Sequence, residues 1–154
     1  MTRDAATSPQ PARGPHRPLR AAARILAAAG LVVDAYVHAH LADRYDAVAA
    51  TLSQGTLFRI EAALAALAAL LVLAWRRVPA DAFAWLVASG GLAALLVYRY
   101  ANVGELGPLP NIYEPIWSND KKLVAVAQAV TIAATTLLLL TRTRRRHLVG
   151  PVLV

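Results

Sequence analysis

The sequence has no cysteine. That excludes disulfide staples, thiol chemistry and any metal site built on cysteine. Charge is scarce as well. Only 16% of the residues are Asp, Glu, Lys or Arg, against about a quarter in a soluble domain. Aromatics make up 6%, so a large aromatic core is excluded. No phosphate-binding glycine loop, dinucleotide fingerprint, nucleophile elbow or HExxH metal motif occurs. Serines and threonines are scattered without a positioned base. The ordinary soluble enzyme classes therefore have no foothold, and an enzymatic role is left open with the balance against it.

What the chain has in abundance is Ala, Leu and Val gathered into long runs. Of its 154 residues, 58% are hydrophobic, and the mean hydropathy is +0.47. Four runs, about 21–41, 57–75, 83–100 and 123–140, are each long enough to cross a hydrocarbon core of about 30 Å as a helix. A helix satisfies its own backbone polar groups where no water can. The fold class expected is an all-α membrane protein, an antiparallel bundle of four transmembrane helices. A 21–141 membrane domain would lie between basic tails at 1–20 and 142–154. The loops at 42–56 and 101–122 would face outward. A cleavable signal peptide competes for the first run, because Val37 and Ala39 suit a cleavage site. Asp34 is unusual in such a segment, and the later spans hold the chain in the membrane either way.

The net charge of +7 raises the question of nucleic acid, but the positive charges lie at the ends of apolar runs. Arg3, Arg13, Arg17, Arg20 and Arg24 precede the first run. Arg76 and Arg77 join the second to the third, and Arg142, Arg144, Arg145 and Arg146 follow the fourth. The opposite flanks carry Arg44, Lys121 and Lys122, balanced by Asp43, Asp46, Glu105, Glu114 and Asp120. Basic residues stay on the cytoplasmic side, so topology accounts for them and no nucleic acid is expected. Both termini are placed in the cytoplasm, with the protein multi-pass in a bacterial plasma membrane. Residues 1–20 hold Pro9, Pro11, Pro15 and Pro18, which argues against a continuous helix there. Arg24 is expected to snorkel toward the headgroups, and Asp81 to cap the third helix. Small residues four apart (Ala62/Ala66, Ala65/Ala69, Ser89/Ala93, Ala125/Ala129/Ala133) are candidate close-contact stripes, though an Ala-rich chain produces many by chance.

Candidate chemistry gathers in the outward half. Asp34 lies about 15 Å beyond Arg24 along a helix, near the midplane, and His38 is one turn further on the same face. An unpaired carboxylate at that depth is costly, so Asp34 should face the bundle interior. Arg59 and Glu61, two residues apart, point to different faces of the second helix, and Arg99 ends the third. An intramembrane network of Asp34, His38, Arg59, Glu61 and Arg99 is expected, with Gln128, Thr131 and Thr135 adding polar character on the fourth helix. It would serve as glue between helices, as a metal site on His38, Asp34 and Glu61, or as a quinone, proton-relay or small-molecule site. The cofactor is not identified. His40 points away from His38, so the pair is no chelate. The second outward loop, NVGELGPLPNIYEPIWSND, should form a folded cap through Pro108, Pro110, Tyr113, Glu114 and Trp117.

Two stretches carry a resemblance: DAYVHAHLADRYDAV followed by SQGTLFRIEAALA, and YRYANVGELGPLPNIYEPIWSNDKKL. Together they resemble small four-span integral membrane proteins of high-GC Gram-positive bacteria, over about residues 21–141. The span count, with an Arg and a Gly near the start of the second helix, is also loosely similar to DoxX-type membrane proteins, some linked to quinone redox chemistry. The first resemblance implies the four-span topology and no activity. The role expected from size and missing motifs is an accessory or structural subunit, with lipid and a membrane-protein partner or second copy as its contacts. The alternative is a quinone, metal or small-molecule site around Asp34 and His38.

Overall fold

The computed structural model describes residues 16–148 and is all-helical, with four helices long and apolar enough to cross a membrane. They are α1 (His16–Leu41), α2 (Gln54–Ala74), α3 (Val78–Tyr100) and α4 (Asn119–Leu148). A single 3-10 turn, Ala42–Tyr45, continues α1. Helix α1 begins inside the segment expected to be a tail, and Pro18 falls in its first turn, where a missing N–H costs nothing. The proline-rich stretch before it lies outside the described residues, as does the end of the C-terminal tail.

Each helix start has a local cause. Ser53 caps α2, accepting from Thr56 N at 3.0 Å, a standard N-cap bond. Pro79 opens α3, its fixed φ suited to a first turn. The expectation that Asp81 caps α3 is corrected: the N-cap is Arg77, without a side-chain cap bond, and Asp81 is fully buried. Between α2 and α3 the chain reverses through Arg76 at φ 50°, a left-handed conformation that side-chain-bearing residues seldom adopt. Arg142 donates to the Arg76 carbonyl, and Arg76 Nε donates to Leu73 O at 3.2 Å.

Helix α1 packs on both α2 and α4, α3 packs on α4 and more lightly on α2, and α1 scarcely meets α3. The four therefore stand in a ring. Near the Arg-rich end that ring is tight. Ala23, Ala27, Leu31, Ala65, Ala68, Val72, Ala84 and Leu138 form its core, and small side chains let the backbones close in. A Cβ at Gly30 would run into Thr131 Oγ1 and the Ala127 carbonyl. Of the four small-residue stripes, only Ala65/Ala69 is wholly buried; Ala66, Ala93, Ala129 and Ala133 are exposed. Alanine is cheap on a lipid-facing surface, so its spacing carries little information.

The same end holds a buried charge cluster. Arg24 is 8% exposed and does not snorkel. Its guanidinium forks onto Asp81 at 3.0 and 3.2 Å and also donates to Val72 O at 2.6 Å. Arg142 Nε adds a second cation 3.5 Å from Asp81. Helices α1, α2, α3 and α4 are thus tied at one level, and a bidentate arginine–carboxylate pair is the strong form of such a tie. Outside, apolar side chains face away from the bundle on every helix: Ile25, Val32, Leu70, Leu86, Val126 and Leu140 are all more than half exposed. Water would penalise a surface this apolar, and a lipid bilayer is its natural contact.

Candidate functional site

At the other end the ring opens. There the last turns of α1 and α3 and the first turns of α2 and α4 surround a cavity of about 670 Å³. A volume of this size suits a small molecule. Its walls are largely apolar, with Val37 and Leu41 from α1, Leu57 and Phe58 from α2, Leu95 from α3 and Val124 from α4. Leu109 and Ile112 of the long loop close over it.

That loop is pinned rather than free. Leu52 N donates to Pro108 O at 2.9 Å, and Glu114 N to Tyr98 O at 3.1 Å. Pro110 is buried. Lys121 Nζ pairs with Glu114 Oε2 at 2.9 Å and donates to the Glu114 carbonyl at 2.7 Å. Asn111 Nδ2 donates to Asn102 Oδ1 at 3.0 Å, bracing the loop across its base. Of the residues expected in the cap, Pro110 is buried and Glu114 is tied to Lys121, while Pro108, whose carbonyl holds Leu52, and Tyr113 are exposed.

The cavity floor carries the polar groups. Asp34 is buried, and its Oδ1 accepts from Gln128 Nε2 at 3.1 Å and lies 2.9 Å from His38 Nδ1. His38 Nδ1 also reaches the Asp34 carbonyl at 3.0 Å. Both partners of Nδ1 are acceptors, so Nδ1 carries a proton and a neutral ring keeps its lone pair on Nε2. Phe58 holds the ring edge-on at 5.2 Å. Glu61 enters from α2. A Cβ at Gly91 would lie 2.7 Å from Glu61 Oε1 and would strike Gln128 Nε2. The missing side chain at Gly91 is thus what lets Glu61 and Gln128 converge across α3.

Of the five residues expected to form one network, Asp34, His38 and Glu61 do come together. Arg99 lines the same cavity about 12 Å nearer the loop, eight residues along α3 from Gly91. Its guanidinium lies over Trp117 at 5.5 Å and Tyr100 at 4.9 Å. Arg59 does not join. It is exposed and pairs with Asp43 and Asp46, both at 2.7 Å. The reason is helical: a two-residue offset turns Arg59 about 200° from Glu61, so one inward carboxylate sends its neighbour out. These hydrogen bonds from Arg59 hold the Asp46 carboxyl below the usual aspartate range. His40 stacks on Tyr36 at 5.9 Å, turned away from His38.

The metal reading is not supported by this arrangement. Among the described residues no three His, Asp or Glu side chains are grouped to hold a metal ion. Sequence reasoning gave Gln128 only modest weight, although it is the residue that fixes Asp34, and it missed Gly91. A single Gln in an apolar run was the available sign; its rotation toward Asp34 becomes visible only with the helices packed. No family model, curated protein or solved structure matches this chain.

Proposed function

We propose that this is a multi-pass bacterial plasma-membrane protein, an antiparallel four-helix bundle with both termini cytoplasmic, that binds a lipophilic small molecule with a polar head. The observation that carries the reading is the cavity itself: apolar walls, a pinned lid and a polar floor of His38, Glu61 and Gln128, with buried Asp34 bonded behind it. A network that served only to hold helices together would have no need of the open volume above it. The Arg-rich flanks support the orientation, which puts the cavity in the outward half. The resemblance to small four-span proteins of high-GC Gram-positive bacteria supports the setting. The reading is one of binding. The accessory-subunit role has no separate support, because exposed apolar side chains lie on all four helices, as lipid contact alone requires.

The test is to purify the wild type and Ala94→Trp in mild detergent, extract each with organic solvent and compare the extracts by mass spectrometry. Ala94 lines the cavity, so an indole there fills it. A lipophilic compound near one per protein in the wild type and lost in the variant is the expected result. Identical extracts, with nothing beyond bulk lipid, would remove the reading.

A further inference from the structure

The floor of the cavity is made of acceptors. Asp34 Oδ1 already takes the available donors, Gln128 Nε2 and His38 Nδ1. Glu61 Oε1 and Gln128 Oε1, on two residues that line the cavity, are buried without a partner, and so is Asp34 Oδ2 behind them. Asp34 and Gln128 are each only 1% exposed. Swapping the Gln128 amide would turn its oxygen onto the Asp34 carboxylate, so the present orientation is the favourable one. Buried acceptors want donors, and two carboxylates in an apolar setting want a cation.

We infer that the head of the bound molecule is a primary ammonium on a compact apolar body, its N–H groups directed to Glu61 and Gln128, with the Asp34 carboxylate behind them. An ammonium supplies several donors and one positive charge, which suits the free oxygens of Glu61 and Gln128 on a floor with two carboxyl groups. An alcohol has a single O–H and no charge. A quaternary ammonium has the charge and no donor. A carboxylate head would be repelled by this floor. The apolar body would lie against Leu57 and Leu95 beneath the lid. This assignment rests on the cavity being a binding site, and it adds the class of ligand.

The protein, reconstituted in lipid nanodiscs, is dialysed to equilibrium against adamantylammonium, adamantanol, trimethyl(adamantyl)ammonium and adamantane carboxylate, with empty nanodiscs subtracted. Binding of adamantylammonium at least about tenfold tighter than each of the other three is expected, the scale of a charge-assisted hydrogen bond. Glu61→Gln should weaken the ammonium by about tenfold and leave the alcohol nearly unchanged. Adamantanol binding as well as the ammonium overturns the inference and leaves the pocket standing, the free oxygens then being served by water or a shared proton. Equal binding of the trimethyl compound also overturns it, because charge without donors then suffices. If no probe binds above empty nanodiscs, the pocket reading fails with it. The ranking on the wild type decides the matter even where the variant does not fold.

Discussion

At the scale of single residues, two glycines do different work. At Gly30 a Cβ would lie 2.6 Å from the Ala127 carbonyl oxygen and also meet Thr131. A backbone carbonyl cannot swing aside, so Gly30→Ala must push α1 from α4. A loss of about 1–3 kcal/mol is expected, the usual cost of overpacking, read as a lower midpoint of thermal unfolding in detergent. At Gly91 the obstacles are the ends of Glu61 and Gln128, which can move. Gly91→Ala should therefore cost less stability than Gly30→Ala and disturb the cavity floor more, seen as weaker ligand retention. A reversal of that order would mean the floor is rigid and the α1–α4 contact loose. Residue-scale reading of the sequence was strongest where helical geometry alone decides. The Asp34–His38 pair and the opposed directions of Arg59 and Glu61 follow from 3.6 residues per turn. It failed for Arg24 and Asp81. Each was read against its own helix, as a snorkelling end and as a cap, whereas they lie at one depth on helices that face each other across the ring and neutralise each other.

At the scale of elements, the ties between helices and loops make separate claims. The Arg24–Asp81 pair joins α1 to α3 across the tight end of the bundle, although those helices share few other contacts. Removing Arg24 leaves buried Asp81 with only Arg142, 3.5 Å away, and Arg24→Leu should cost about 3 kcal/mol, the lower end for a broken buried pair. The double variant Arg24→Leu with Asp81→Leu should cost clearly less than the two single changes added together, since neither charge is left behind. Additive losses in a thermal-unfolding cycle would show that the pair is incidental. The connection between α1 and α2 depends on a different tie. Arg59 holds Asp46 and Asp43 at the surface, and Asp46 also accepts from Ser53 at 3.2 Å. The Asp46 carboxyl is held below its ordinary value. Its contribution is therefore complete above that value and is lost as pH falls through the lowered one. Protection factors across 43–53, taken against the intrinsic exchange rate at each pH, should fall as the pH drops below about 4, while the core of α4 stays protected. The chain does not reveal such pairings by spacing, because Asp43 and Asp46 meet Arg59 only once the residues after the 3-10 turn have reversed the chain.

At the scale of the whole molecule, the division between a tight end and a hollow end agrees with the distribution of charge. The four spans were legible in the sequence because length and apolarity suffice to find them. The rotation of each helix about its axis was not, since an Ala-rich span offers little contrast between its faces. The cavity follows from that rotation, together with a long loop whose prolines and backbone bonds hold it across the open end. If the positive-inside rule governs this chain, the cavity and its lid face away from the cytoplasm, and the Arg24–Asp81–Arg142 cluster lies at the cytoplasmic end. The absence of cysteine makes this directly testable, because a single introduced thiol is then a unique label. Glu105→Cys places that thiol on the exposed part of the long loop, and Val78→Cys places it beside the α2–α3 connection. Neither change alters the count of basic residues that sets the orientation. A membrane-impermeant maleimide added to intact cells should label Glu105→Cys at once and Val78→Cys only after permeabilisation. The opposite pattern would turn the molecule over and open the cavity to the cytoplasm, so its ligand would have to come from inside the cell. Labelling of both sites in intact cells would mean the chain inserts in two orientations, and the arginine-rich flanks of the apolar runs would then not be acting as its topological anchor.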